Sequence, residues 1–514
     1  MNEQRIGIID IGSNSIRLVV YEQTASGAHR VIDGSKRPAR LSQRITADGR
    51  IDEDTVRELA ETLGHFRLLC THHRTRIVRA VATAAMRNAV NGQEVLEALT
   101  AETGLEIELL PGEQEAGFGF LGMVNTMDVR DGFLIDIGGG STEISLFKER
   151  TLVESVSFPF GCVSLARNYA DNGMLSDEGL QKLERMALQT AEREDWLRWS
   201  PGLPLIGVGG TIRSLAKIHQ AVRKYPFPQT HNYAMPTGDA DRLFNTLRDM
   251  PLDKRRKFPG LSKDRVDLIV PGLAVLRVFQ RLTGAAEYRV CASGLRDGLF
   301  FSVQSPDRPR LDNVLDYSVR NTYALYPEAP LPHLNQVNRL ALQLLEQLQR
   351  AAPDYGLRGL GGRAATLLDA ASLLYRIGAS IDYAAYSMHT FYLLTNCSLN
   401  GMSHRENVLT AAIAAFRSRS RCKAQLEPYA ALLEPGDIEA AALLGSLLQL
   451  AVALDRSETQ PISRLESELS TASSQLKLTA VHPAGSLALE SQEVEEAGKE
   501  FLKLWRLHPV LSVR

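Results

Sequence analysis

Two glycine-rich turns, each set between apolar strand-like runs, limit what this chain can fold into. The first, Asp10-Ile11-Gly12-Ser13-Asn14-Ser15, follows Ile6-Gly7-Ile8-Ile9 and precedes Arg17-Leu18-Val19-Val20-Tyr21. The second, Asp136-Ile137-Gly138-Gly139-Gly140-Ser141-Thr142-Glu143, follows Phe133-Leu134-Ile135 and runs into Ile144-Ser145-Leu146-Phe147. Both patterns predict the tight turn of a β-hairpin. Glycine there permits positive φ and lets backbone N–H groups approach a ligand, while the Ser and Thr hydroxyls add short donors. A carboxylate at the head of each turn is a natural holder for a divalent cation bridging phosphate oxygens. Two such turns face to face would grip a phosphate from both sides.

The rest of the chain repeats one architecture and then changes character. Up to about residue 125 the pattern predicts three strands followed by alternating helices and strands. Val56, Leu59, Leu63 and Phe66 recur at helical spacing after Asp52, residues 76–82 form a strand, and a helix around Val95, Leu96 and Leu99 stops at Gly104. Residues 106–110 add a strand, after which Pro111-Gly112 opens a helix bearing Glu113 and Glu115. Near residue 130 the order begins again, with strands at 152–158 and 205–208 and closing helices at 271–279 and 295–303. This repeat predicts two similar α/β domains, 1–125 and 126–305, with a ligand cleft between them. Pro306, Pro309, Pro327, Pro330 and Pro332 then punctuate a linker, and helical periodicity predicts an all-helical domain over 306–465. Strand-like 476–480, 487–489 and 510–513, around a helical pattern at 494–504, predict a small α/β tail over 466–514.

Composition narrows the setting. The 514 residues, 44% hydrophobic, suffice for about three or four domains with ordinary cores. The five cysteines, Cys70, Cys162, Cys291, Cys397 and Cys422, are scattered and form no C-x-x-C pair, which argues against a disulfide framework or a zinc site. A reducing cytoplasm is the expected location, since Met1 runs almost directly into the first strand with no room for an export signal. The longest apolar stretch, 440–454, is interrupted by Gly445, Ser446 and Gln449 and falls short of the ~20 residues of a spanning helix, so stable membrane insertion is not expected. A net charge of −2 offers polyanions no global attraction, nor does it suggest nucleic-acid binding. Local basic clusters do exist: Lys36-Arg37 with Arg40 and Arg44, then Arg74, Arg76 and Arg79, the run 254–257 with Lys263 and Arg265, and the run 417–423. Singly, each reads as a solvated face; together they favour an extended anionic ligand.

Ordered motifs bring a family into view. Residues 10–17, Pro111-Gly-Glu-Gln-Glu115-Ala, residues 136–143, Gly207-Val-Gly-Gly-Thr211, Val270-Pro-Gly-Leu273 and Ser293-Gly-Leu-Arg-Asp-Gly298 resemble the bacterial exopolyphosphatase / guanosine pentaphosphate phosphatase family in order and spacing. The match is dense over the first 305 residues and loose beyond. It implies two actin/hexokinase-like (ribonuclease H-like) domains, a helical HD-like domain, and hydrolysis of a terminal phosphate. It also implies that Glu115 directs the water and that Asp136 and Glu143 bind magnesium, with Asp10 facing them from the first domain as a further ligand of the metal site, through water. Plainer readings stand beside these: a glutamate at a helix start, a turn-capping aspartate, a cross-strand glutamate. Ser13, Asn14 and Ser15, with the backbone of Gly138, Gly139, Gly140 and Ser141, are candidate phosphate donors, and Arg17 and Arg87 can add bidentate guanidinium contacts. Gly209, Gly210 and Thr211 open a helix whose N–H groups can meet phosphate. His231, Arg265 and Arg296 are further candidates for the lining.

The helical region departs from the family. Where relatives carry a His-Asp or His-Glu pair, this chain has Tyr375-Arg376, so a metal site is not expected there. His389 and His404 read as packing residues, and the domain as an extension of a basic channel or a homodimer contact. No base-reading constellation is visible, which ranks inorganic polyphosphate ahead of guanosine pentaphosphate as substrate. An actin-like ATP-binding kinase or chaperone would also carry the glycine turns, though not a helical C-terminal region in the chaperone case. A non-catalytic sensor would have no need of Glu115, Asp136 and Glu143 together.

Overall fold

The computed structural model describes residues 4–46, 48–171, 173–351, 357–397, 399–470 and 474–514. They form two compact units, Met1–Val314 and Leu315–Arg514. Among the described residues the strands make three sheets.

In the first unit, β1 (Gln4–Ile11), β2 (Ser15–Gln23), β3 (His29–Pro38), β4 (Ile77–Ala82) and β5 (Ile107–Leu109) lie in the order β3-β2-β1-β4-β5. The second sheet holds β6 (Gly132–Ile137), β7 (Thr142–Lys148), β8 (Thr151–Phe158), β9 (Leu205–Val208), β10 (Tyr233–Pro236) and β11 (Glu287–Val290), ordered β10-β11-β9-β6-β7-β8. Apart from the added edge strand β10, the two orders are the same. In each sheet a hairpin turns on the glycine run, and its first strand pairs in parallel with the strand that follows, β4 or β9.

Strand alternation decides which carboxylates share a face. On β1, Ile9 and Ile11 enter a core with Leu59, Leu63 and Phe66, so Ile6, Ile8 and Asp10 face the other way. On β6, Phe133, Ile135 and Ile137 enter the core of the second lobe, leaving Leu134 and Asp136 opposite. These second faces are covered by helices that cross over. Helix Gly112–Val124 packs Phe120, Met123 and Val124 against Leu134, Phe147, Ile206 and Val208 of the second sheet. Helix Leu295–Gln304 returns to the first sheet, where Phe300 stacks on Tyr21 with ring centroids 4.2 Å apart.

The two crossing helices also touch each other through glycines. A Cβ at Gly122 would meet the carbonyl of Gly294, and one at Gly298 the carbonyl of Phe118. Neither neighbour can yield, because both are backbone.

In the C-terminal unit, helices Leu331–Ala351, Ala364–Leu374, Tyr386–Asn396 and His404–Ala414 precede Asp437–Ala453, which is buried along most of its length. The third sheet joins β12 (Arg464–Ser470), β13 (Gln475–Val481) and β14 (His508–Val513), with helix Ala488–Trp505 between the last two strands. The expected strand at 487–489 is instead the start of that helix. Leu487, Val494 and Phe501 are buried at helical spacing while Leu489 is exposed, so the short apolar run belongs to the longer period. No helix among the described residues is long and apolar enough to cross a membrane.

Gly298→Ala tests the helix crossing. Overpacking at a backbone contact should cost about 1–3 kcal/mol, read as a lowered midpoint in denaturant unfolding.

Candidate active site

The crossing helices aim their N-terminal turns into the cleft between the lobes. Glu115 lies in the first turn of Gly112–Val124, and Arg296 in the first turn of Leu295–Gln304, whose entry is capped by Asp297 Oδ2 accepting from Gly294 N at 2.9 Å. Asp10, Ser13, Asn14, Ser15, Arg17 and Glu115 line the cleft from one side and Asp136, Gly138, Gly139, Ser141, Gly209 and Gly210 from the other.

The two glycine turns meet closely. A Cβ on Gly139 would stand 3.0 Å from Asn14 N, and one on Gly140 2.7 Å from Ser13 Oγ. None of Gly12, Gly138, Gly139 or Gly140 has a positive φ, so the glycines serve close approach and not the left-handed backbone expected of them. Gly209 does, at φ 85°, where the chain leaves β9 for helix Gly209–Val222.

Five of the remaining candidates sit elsewhere. Gly140 packs against Ser13 and Ser42 without lining the cleft, and Thr211 turns inward onto Gly272. Arg87 occupies an adjoining cavity with Gly112 and Ser157, and Glu143 a small cavity behind Glu115 and Asp136. His231 is held by Thr126 O at 2.9 Å and the amide of Ala292 at 3.2 Å, so its ring serves packing and not the cleft.

The charges are paired unequally. Asp10 faces Arg17 across the β1/β2 register, whereas Asp136 faces Glu143 at the equivalent place in β6/β7. One hairpin therefore presents a cation and its duplicate a second carboxylate. Arg296 Nη1 donates to Asp10 Oδ2 at 2.9 Å, and Arg87 Nη1 to Glu115 Oε2 at 3.1 Å. Ser157 Oγ donates to Glu143 Oε1 at 2.7 Å.

Burial first, and then the Glu143 charge, push the Glu115 carboxyl well above its ordinary range, against the opposing pull of Arg87. Burial, then the charge of Asp136, raise Glu143 to about 7. Asp136 is raised mainly by burial.

The cleft also gathers guanidinium groups. Arg213 and Arg265 join Arg17 and Arg296 along its wall. Burial, followed by the charges of Arg296 and Arg213, lowers Arg17 to about 10. Such a cluster is relieved by an anion. Gly210 makes room for it, since a Cβ there would collide with the Arg265 guanidinium.

Several members of the outlying basic clusters are engaged within the fold. Lys36 pairs with Asp264 at 3.0 Å and Arg40 with Asp267 at 2.9 Å, while Arg255 is buried and donates to the carbonyls of Gly173 and Val266. Arg213 escaped the sequence reading. Its only cue is its place one helical turn after Gly209, whose carbonyl accepts from Arg213 Nε at 2.9 Å.

A divalent cation fits the carboxylate side in kind. Asp136 and Glu143 are hard oxygen donors, buried and mutually repelling, and a cation would relieve them. Among the described residues no group of three or more His, Cys, Asp or Glu is placed as a closed metal cage. The donor set thus suits an ion that also takes water or substrate oxygens, as magnesium does.

Residues 19–305 match the Ppx/GppA phosphatase family, and residues 327–496 match domain III of that family. The chain belongs to the Ppx/GppA phosphatase family. Members are hydrolases acting on phosphoanhydride bonds and are generally metal-dependent. A relative from Aeromonas hydrophila, named guanosine-5'-triphosphate,3'-diphosphate pyrophosphatase, is 27% identical over 475 residues, covering 89% of both chains. The crystal structure of the Aquifex aeolicus Ppx/GppA family member is 26% identical, with a TM-score of 0.52 over 60% of this chain and 99% of that one. An exopolyphosphatase from Cytophaga hutchinsonii shares the fold at 22% identity and a TM-score of 0.55, over 60% of this chain and all of that one, 100%. These likenesses establish the actin-like Ppx/GppA fold with its helical C-terminal domain.

The raised Glu143 carboxyl gives a pH test. Between the ordinary value of 4.5 and about 7, the folded protein keeps a proton that the unfolded chain has lost. Stability is therefore fully present below about 4.5 and declines as pH rises through about 7. In the cation-free protein, the melting temperature should fall across this window, and Glu143→Gln should flatten the fall.

Proposed function

We propose that this protein is a cytoplasmic, magnesium-dependent exopolyphosphatase that removes the terminal phosphate of inorganic polyphosphate. The observation that carries this reading is the lining of the cleft. Backbone glycines, hydroxyls, guanidinium groups and Glu115 are gathered there, and no aromatic side chain lines it among the described residues. Such a wall grips phosphates and offers no platform for a base.

In this reading, the guanidinium groups of Arg17, Arg213, Arg265 and Arg296 and the N–H groups at Gly139, Gly209 and Gly210 hold the terminal phosphoryl oxygens, while the expected donor at Gly138 is spent on the Ser141 carbonyl at 3.0 Å. Arg87 orients Glu115, which lies beside the second glycine turn. Glu115 accepts a proton from a water whose oxygen attacks phosphorus. The bond to the bridging oxygen breaks, orthophosphate leaves, and the bridging oxygen remains on the shortened chain. Asp136 and Glu143 are the residues that would hold magnesium, which would neutralise charge on the phosphoryl oxygens. Asp10, held by Arg296, supports the same face. Burial and the Glu143 charge raise the basicity of the Glu115 carboxylate, which suits a proton acceptor.

A second reading, hydrolysis of guanosine pentaphosphate at its 5′-terminal phosphate, is favoured by the Aeromonas hydrophila relative, which aligns over 89% of this chain. Both substrates end in the same phosphoanhydride, so the same machinery serves either. The resemblance further carries a homodimer, to be checked by light scattering.

Phosphate release from long-chain polyphosphate, with and without magnesium, is the decisive measurement. Chelation should abolish release and magnesium should restore it; faster release from guanosine pentaphosphate would reverse the order of substrates. Glu115→Gln should lower turnover by about 10²–10⁴-fold while leaving polyphosphate binding nearly intact. Turnover close to wild type in that variant would remove Glu115 from its role.

A further inference from the structure

Ser157 lines the cavity beside the cleft, together with Arg87 and Gly112, and not the cleft itself. It stands on β8 directly opposite Glu143 of β7, in antiparallel register. Facing residues of neighbouring strands put their side chains on one side of the sheet, close enough to meet. Here they do: Ser157 Oγ donates to Glu143 Oε1 at 2.7 Å, the short length of a hydrogen bond to a charged oxygen. The next pair on that face, Ser145 and Ser155, also joins its hydroxyls, at 3.1 Å. Helix Gly112–Val124 packs over these strands.

The start of that helix is fitted to Ser157. A Cβ on Gly112 would stand 2.6 Å from Ser157 Cβ and 2.8 Å from its Oγ, so the glycine lets the first turn settle on the serine. Glu115 belongs to that turn and is held by Arg87 at 3.1 Å. One corner of the fold thus carries two anchors, Arg87 for Glu115 and Ser157 for Glu143.

Glu143 needs its anchor, because it is buried beside Glu115 and Asp136, whose charges repel it. Left to that repulsion, its carboxylate would turn away from Asp136, and two oxygen donors that must share one cation would separate. Ser141 also hydrogen-bonds Glu143, but it belongs to the glycine turn that lines the cleft. Ser157 is the support set back from the substrate. Groups that orient a metal's ligands from behind contribute to affinity much as the ligands do. We propose that Ser157 is a positioning residue whose hydroxyl fixes the Glu143 carboxylate beside Asp136 for a divalent cation. This rests on the reading of Asp136 and Glu143 as holders of the cation, and extends it to a residue that touches neither cation nor substrate.

Manganese, which takes the same oxygen ligands as magnesium, serves as the probe. It is titrated into the full-length protein without substrate, and binding is read from the loss of the free ion's electron paramagnetic resonance signal. Ser157→Ala keeps the Cβ against Gly112 and removes only the hydroxyl; it should weaken manganese binding by about tenfold or more. The magnesium concentration giving half-maximal phosphate release should rise by a similar factor, and excess magnesium should overcome the deficit. Ser157→Thr, which keeps the hydroxyl on a side chain that favours strands, should restore both. A merely structural serine would lower the thermal midpoint of Ser157→Ala and leave manganese affinity unchanged. The proposal is overturned if Ser157→Ala binds manganese as the wild type does while Glu143→Gln does not, or if Ser157→Ala and Ser157→Thr weaken binding equally. Should the wild type take up no manganese, or Glu143→Gln bind it normally, the cation reading of Glu143 falls and the proposal with it. Absent phosphate release from polyphosphate, with manganese binding intact, would count against the exopolyphosphatase reading alone.

Discussion

The close crossing of helix Gly112–Val124 and helix Leu295–Gln304 fixes the geometry on which the rest of the first unit depends. Each helix covers the sheet of the other lobe, and their backbones approach where a Cβ at Gly122 or Gly298 would strike a carbonyl. That contact sets the position of Glu115 relative to Arg296, and through them relative to Asp136 and Asp10. A shift of the crossing by the width of a methyl group would move the Glu115 carboxylate and the Arg296 guanidinium together. Such displacements are felt strongly in close-packed interiors, and positioning of this kind is a large part of what an active site supplies.

Charge in the cleft is only partly paired. Arg17, Arg213, Arg265 and Arg296 repel one another, as do Glu115 with Glu143 and Glu143 with Asp136. The internal pairs, Arg296 with Asp10 and Arg87 with Glu115, offset only part of this. Buried charges of like sign cost stability unless a partner arrives. An anion and a divalent cation together would relieve both sets of charges. The repeated architecture supplies the frame, and Arg17 and Glu143 at equivalent register positions give its two halves opposite charges.

Much of this was legible in the residues. The period-two pattern around both glycine turns revealed the hairpins, and the repeat of strand and helix order revealed the paired lobes. The helix opening at Pro111-Gly112 was likewise visible, because its signals are local. The tertiary consequences were not. Periodicity cannot say that a helix will cross to the neighbouring sheet, so the association of Glu115 with Glu143 had no local signature. Arg213 looked like any helical arginine until the fold turned it into the cleft. That Lys36 of the first basic cluster pairs with Asp264 was likewise invisible, because the partners lie far apart in sequence. In the helical domain, Tyr375-Arg376 marked a departure, while the engagement of Tyr375 by His333, 42 positions away, and of His333 by Asp455, 122 positions away, had no local sign.

The exchange of helices between lobes also bears on how the chain is made. A ribosome delivers β1 and β2 early, and domains generally fold as units in the order of synthesis. Here the face of the first sheet that carries Tyr21 finds its cover, Phe300, only when nearly the whole first unit has emerged. The N-terminal lobe must wait with an apolar face open, and neither lobe can be finished without the other. Order of synthesis and order of completion are thereby uncoupled, and the cleft closes around its charges only in the last step.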